Sequence, residues 1–169
     1  AIGYQQSLPI SEDQSLVDIE IPQPVASGKD LLVKIRAIAV NPVDYKIRQN
    51  VAPESGEFKV IGWDAVGEVI ATGEEVTRFQ PGDAVYYAGD LTRPGSNAEC
   101  QLVDGRIVGN RPRSLSDAEA AALPLTALTA WELLFEHLDI RQQSPASAET
   151  SDEVILVIGA AGGGGSSRL

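Results

Sequence analysis

The sequence predicts a mostly β domain, a compact barrel or sandwich, with helices after it and then the first strand and glycine turn of a doubly wound α/β domain. Three observations predict it. Short apolar runs separated by Gly and Pro turns recur as far as about residue 110. The composition then turns Ala- and Leu-rich behind a helix-start signal at Ser116. Finally, the continuous apolar run Glu153–Ile158 feeds directly into Gly159-Ala-Ala-Gly-Gly-Gly-Gly.

The elements follow in order. Leu16 to Ile21 alternates and is stopped by Pro22 and Pro24; after a polar turn at Ser27 to Asp30, Leu31 to Val40 is the longest β-type run. Lys59 to Ala71 is the next, and its Gly62 and Gly67 signal bulges or close backbone approach. Asp83 to Ala88, Ala98 to Val103 and a short Ile107 to Gly109 complete the strands. Ser116-Asp117-Ala118-Glu119 sets a hydroxyl and an acid at capping-box spacing, so a helix begins there and Pro124 interrupts it. A second helix is predicted from about Thr126 to Leu138, burying Leu125, Leu128, Trp131, Leu134 and Leu138 on one face, with His137 structural beside them. Arg141 to Asp152 reads as a polar connector.

At the far end, a buried strand entering a glycine turn is how a nucleotide-binding domain begins: glycines let the backbone approach a pyrophosphate, and the next helix presents its positive end. Gly159, Gly162 and Gly165 give a variant of the usual spacing. Gly-Ser-rich ends are also commonly linkers, and the preceding strand is what favours the nucleotide reading.

Composition narrows the function. Thirteen Lys and Arg against 24 Asp and Glu give a net charge of -11, which repels nucleic acids and anionic membrane surfaces. The apolar stretch around Ala120 to Ala130 is broken by Pro and Thr and too short to span a bilayer. No basic segment followed by an apolar core opens the chain, so a cytoplasmic location is expected. One cysteine, Cys100, and one histidine, His137, cannot build a thiolate and imidazole metal cage, and Cys100 sits in an alternating strand pattern.

The chemistry is concentrated in Asn41-Pro-Val-Asp-Tyr-Lys-Ile-Arg48, at the end of the longest strand. Pro42 removes a ladder donor and holds Asn41 out of helical geometry, so the strand must hand over to a turn that gathers Asn41, Asp44, Tyr45 and Lys46. These residues serve either as the floor of a site or as a capped helix start with Lys46 solvated.

Five motifs in one order, Asn41-Pro-Val-Asp-Tyr-Lys, Gly62-Trp-Asp-Ala-Val-Gly-Glu-Val, Pro81-Gly-Asp-Ala-Val-Tyr, Leu123-Pro-Leu-Thr-Ala-Leu-Thr-Ala-Trp and Val154-Ile-Leu-Val-Ile-Gly-Ala-Ala-Gly-Gly, resemble the medium-chain dehydrogenase/reductase superfamily. The branch resembled is the quinone-oxidoreductase-like one, often labelled zinc-type alcohol dehydrogenase-like. The resemblance implies a GroES-like β-barrel substrate domain over residues 1–125, a helix and connector over 126–152, and the start of a Rossmann cofactor domain over 153–169. It places the alcohol dehydrogenases' catalytic zinc ligands on Asn41, Trp63, Asp64 and Leu125, three of which cannot hold zinc, and the cysteine-rich structural-zinc lobe is missing, so no metal site is expected.

A member without zinc must polarise its substrate by hydrogen bonds and charge. The resemblance therefore implies NAD(P)H-dependent reduction of a quinone or an α,β-unsaturated carbonyl. Asn41 and Lys46 would be donors, Tyr45 a proton source, and Asp44 would orient Lys46 or the turn. Thr129 would pack beside the nicotinamide, with an ordinary helix threonine as the alternative, and Gly159, Ala160, Ala161, Gly162, Gly163 and Gly165 would form the cofactor turn. NADPH is the branch's usual cofactor, with NAD left open. A Rossmann domain needs its helix and further strands, so this chain is expected to have little activity alone; the family's usual dimer runs partly through that domain, which leaves the oligomeric state open between monomer and homodimer. The alternatives are a non-enzymatic GroES-like interaction module and a zinc-dependent alcohol dehydrogenase.

Overall fold

The computed structural model describes residues 1–142, 154–159 and 162. It resolves into two compact units, Ala1–Pro124 and Leu125–Leu169. The first is built on two antiparallel sheets. Strands β1 (Ile2–Tyr4), β2 (Val17–Asp18) and β4 (Lys59–Val60) form the smaller, in the order β2-β1-β4. The larger is ordered β7-β3-β5-β6-β8, from β3 (Asp30–Ala39), β5 (Asp64–Thr72), β6 (Ala84–Ala88), β7 (Cys100–Asp104) and β8 (Gly109–Asn110).

The core explains why the apolar runs alternate. Leu31, Val33, Ala65, Val69, Val85, Tyr87 and Val103 come from β3, β5, β6 and β7 and pack with Phe79 and Val108 into one buried cluster. Tyr87 is fully inside, and its hydroxyl is satisfied by Gln101 Oε1 at 2.9 Å. A second cluster joins Val66 to Ala120 and Ala121 of helix α2 (Asp117–Ala121), with Ala37 packed against it. The predicted capping box is formed: Ser116 Oγ accepts the Glu119 N–H at 3.3 Å and the Glu119 carboxylate accepts the Ser116 N–H at 2.8 Å.

Both strand glycines flagged by the sequence have structural work. The pairing of β3 with β5 slips between Ile35 and Ala37, leaving Arg36 as an extra residue. Beside that slip, a side chain on Gly67 would lie 2.4 Å from the Lys34 carbonyl oxygen, so only glycine lets the strands approach. Gly62 has φ +102 and divides the predicted Lys59–Ala71 run into β4 and β5.

Other elements differ from expectation. β1 carries only three residues and gave no usable pattern, and β2 keeps just two of the predicted six, although Ile19 beyond it still exchanges main-chain bonds with Ala1 at 2.8 Å in each direction. Residues 105–107 form a 3-10 turn that replaces the start of the predicted last strand.

Pro124, the last residue of the first unit, opens helix α3 (Pro124–Trp131), whose remaining residues belong to the second unit and continue as a π-helical turn over Glu132–His137. Pro suits a first helical position, where its missing N–H has no partner to lose. The face predicted to be buried is largely open, with Leu128 60%, Trp131 45% and Leu138 53% exposed, because periodicity specifies an apolar face without supplying its cover. His137 is exposed as well and lies 3.7 Å from Glu132. By length and composition alone, Asp117–His137 could cross a bilayer, yet Ala120 and Ala121 within it are buried in the second cluster.

Candidate active site

The sequence makes β3 stop at Ala39 and, after Val40 and Asn41, a nine-residue helix α1 (Pro42–Asn50) start. Asn41 takes extended geometry (φ -125, ψ 163) ahead of Pro42 at the first helical position. Its backbone N–H donates to the Asp44 carboxylate at 2.7 Å, and the Asp44 N–H donates to the Asn41 carbonyl at 3.0 Å. Asp44 is 5% exposed, and burial raises its carboxyl above the ordinary value while bonds from the N–H groups of Asn41, Asp44 and Gly62 pull it back.

Asn41 turns its side chain the other way. Its Nδ2 donates to Asp64 Oδ2 at 2.8 Å, and Asp64, the first residue of β5, has no exposed surface. Asp64 reaches this spot through Gly62, where a Cβ would lie 2.4 Å from Asn97 Oδ1 and 2.6 Å from Ser96 Oγ. The Ile61 and Gly62 carbonyls accept N–H groups of Asn97 and Ser96 at 2.9 and 2.8 Å. Trp63, between them, is 1% exposed and donates its indole N–H to the Asp90 carbonyl at 3.2 Å.

The far end of α1 is fastened by Tyr4, whose hydroxyl lies 2.6 Å from the Val51 carbonyl oxygen and 3.1 Å from that of Ile47. Burial raises the Tyr4 hydroxyl's pKa, and the Arg48 charge opposes this. Buried Arg48 donates to the Leu8 carbonyl at 2.8 Å. Tyr4 lies in no motif and was missed from the sequence, whereas Arg48 closes the Asn41–Arg48 stretch but was given no role there.

Asn41, Asp44 and Asp64 are thus brought together, and Tyr45 and Lys46 are not part of that group. Tyr45 is 50% exposed and Lys46 is also exposed, because Asp44 and Arg48 take the inward positions of the helix. Asp44 orients the turn; no bond or ion pair links it to Lys46. The Asn41–Asp64 contact was foreshadowed only by both aligning with one metal centre in the family resembled.

That position does not fit zinc. Trp63 has no lone pair to offer and its N–H is used, Asn41 spends its amide on Asp64, and one carboxylate is left. Among the described residues, no three His, Cys, Asp or Glu side chains gather at metal-binding spacing.

In the second unit, Thr129 is exposed and its hydroxyl donates to the Leu125 carbonyl of its own helix at 2.8 Å. Val154–Ile158 carries no strand pairing and is exposed, in contrast to the expected buried strand: a parallel strand needs neighbours on both edges, and none pairs with it among the described residues. Gly159 adopts φ +73 and accepts the Gly162 N–H at 2.9 Å. That left-handed backbone is open to glycine at no cost, the property by which such turns admit a pyrophosphate. Ala160, Ala161, Gly163 and Gly165 lie outside the described residues.

With this geometry in hand, residues 27–125 match the alcohol dehydrogenase GroES-like domain. The chain belongs to that family, within the medium-chain dehydrogenase/reductase superfamily. It is 42% identical over 157 residues to a zinc-type alcohol dehydrogenase-like protein of Staphylococcus aureus, covering 93% of this chain and 46% of that one. A Rhizobium etli structure described as a candidate zinc-dependent alcohol dehydrogenase superposes with TM-score 0.88 at 53% identity, over 98% of this chain and 47% of the other. The Escherichia coli quinone oxidoreductase complexed with NADPH gives TM-score 0.66 at 25% identity, over 79% and 39%. The chain spans about half the length of the relatives it matches.

Proposed function

We propose that this chain forms the substrate side of a zinc-independent, NADPH-dependent oxidoreductase acting on quinones or α,β-unsaturated carbonyls. The observation that carries the proposal is the Asn41–Asp64 hydrogen bond of 2.8 Å, which occupies with an amide and a carboxylate the place where the alcohol dehydrogenases hold a metal. NADPH, when bound, supplies hydride to an electron-poor carbon, and negative charge then grows on the substrate oxygen. The protein's part is to meet that charge with donors already in place. Asn41 Nδ2 carries two hydrogens and uses one on Asp64, which fixes the direction of the other. The exposed Lys46 ammonium adds positive charge on α1, and the Tyr45 hydroxyl can deliver the proton that completes reduction.

Thr129 and the turn at Gly159–Gly165 form the cofactor side of this reading. The choice of NADPH follows the quinone oxidoreductase bound to it, with NAD kept as the alternative. The test joins this chain to the complete cofactor-binding half of the Rhizobium etli relative and follows NADPH oxidation with a benzoquinone and an enone. Turnover that survives EDTA, in protein holding well under one zinc per chain, is the expected result. No turnover with either substrate, or turnover that tracks bound zinc, overturns it.

A further inference from the structure

At the opposite end of the long strands from Asn41 lies a cavity of about 360 Å³, formed where three turns meet. It is lined by Lys29, Glu75, Val76, Arg78 and Phe79, among others, and its volume falls in the range of small-molecule sites. β3 runs ten residues from Asp30 beside this cavity to Ala39 beside Asn41, so the two places are about 30 Å apart at the usual rise of a strand. No step of the proposed reduction reaches it.

The turns are fastened to one another by main-chain bonds. The Glu75 N–H donates to the Gly28 carbonyl at 2.9 Å, the Gly73 N–H to Asp30 at 2.8 Å, and the Gly105 N–H to Lys29 at 2.9 Å. Glu74 adds a side-chain bond, accepting the Gly28 N–H at 2.9 Å. The walls are therefore set before any ligand arrives.

Their chemistry is of two kinds. Val76 and the largely buried Phe79 give an apolar floor. Over the Phe79 ring, 5.2 Å from its centre, sits the Arg78 guanidinium, which forms no ion pair with an acid among the described residues. Lys29 reaches Glu75 only at 3.8 Å, with both side chains half exposed or more, a contact that an arriving anion can replace. Arg106, also in the wall, is taken by Asp104 through Nε and Nη2 and contributes shape. The lining residues carry three cations and one acid, and with Arg106 held by Asp104 and Lys29 loosely by Glu75, Arg78 is the charge the wall leaves for a ligand.

We propose that the cavity binds a small amphipathic carboxylate, its apolar body on Val76 and Phe79 and its anion between Arg78 and Lys29. Arginine suits this because its planar fork can meet both carboxylate oxygens while its face stays on an aromatic ring.

The experiment titrates the 15N-labelled chain of 169 residues with naphthalene-2-carboxylate, and in parallel with naphthalene-2-carboxamide and inorganic phosphate, following backbone amide shifts. Saturable shifts confined to residues around Val76–Phe79 and Gly105–Arg106 are expected for the carboxylate. The carboxamide and phosphate should each bind at least tenfold more weakly, because one lacks the charge and the other the body. Arg78→Glu, at an exposed position, should weaken the carboxylate at least tenfold while leaving the rest of the spectrum in place. Absence of saturation, equal affinity for the carboxamide or phosphate, or an unchanged Kd in Arg78→Glu overturns the proposal, whatever the outcome of the NADPH assay.

Discussion

The Asn41 amide and the Asp64 carboxylate meet at 2.8 Å inside the protein, which ties the residue before α1 to the first residue of β5. Asn41 also donates its backbone N–H to Asp44. One residue therefore fixes the angle at which α1 leaves the sheet and satisfies a carboxylate that water does not reach, and both roles can be separated by substitution.

Asn41→Ala removes the donor and leaves Asp64 buried against an apolar methyl. A loss of about 2–3 kcal/mol in urea-induced unfolding is expected. Asn41→Asp places a second carboxylate against the first, so its loss should be larger at pH 8 than at pH 5. Equal stability of Asn41→Asp at the two values would contradict the pairing.

Asp44 gives a pH signature with a definite sign. Burial raises its carboxyl above the ordinary 3.8, so the native chain keeps this proton where the unfolded chain has released it. Its contribution is greatest below the unfolded value and declines as pH rises through the folded one. In Asp44→Asn that decline is absent. Measured from about pH 3 to pH 7, the variant's stability relative to the parent should therefore improve as pH rises.

Gly62 and Gly82 separate a steric clash from backbone strain. Both have positive φ, +102 and +96, but a Cβ on Gly62 meets Ser96 and Asn97 below 3 Å whereas one on Gly82 meets nothing within 4 Å. Gly82→Ala should cost about 1–2 kcal/mol, the left-handed penalty alone. Gly62→Ala should cost about 3 kcal/mol or more and should also disturb the tryptophan fluorescence of buried Trp63.

Lys46→Ala and Tyr45→Phe test the reactive face of α1 in the joined enzyme. Both side chains are exposed, so stability should change by no more than about 0.5 kcal/mol. Their kcat/KM for a quinone should fall about tenfold or more if they meet developing charge. Unchanged kinetics in both would leave α1 a structural helix start.

Strand existence was legible where one face is buried and the run is long: Leu31–Val40 appears as β3, and Asp83–Ala88 as β6. The capping box at Ser116 was legible because it is a local arrangement of donors and acceptors. The site was legible only in part. Its turn at Asn41–Pro42 is written in the chemistry of proline, but the Asp64 contact depends on a fold that brings together residues 23 apart. Which side of α1 Tyr45 and Lys46 would take was not readable either, since Asp44 and Arg48 are polar and the pattern gave no apolar inward face; the buried polar bonds decide it. Periodicity misled over Leu128, Trp131 and Leu138, and again over Val154–Ile158, where an apolar pattern was equated with burial.

The extra residue in β3 has a consequence for how the domain tolerates change. Leu31, Val33 and Ile35 serve one core cluster, and Ala37, two positions further and therefore on the same side in a regular strand, serves the other. Arg36 acts as a half-turn inserted in the thread, handing the chain from one interior to the next. Deleting it would leave Ile35 and Ala37 as neighbours on opposite faces, still opposite Gly67 and Val66, so the ladder that brings Asn41 to Asp64 should survive its loss.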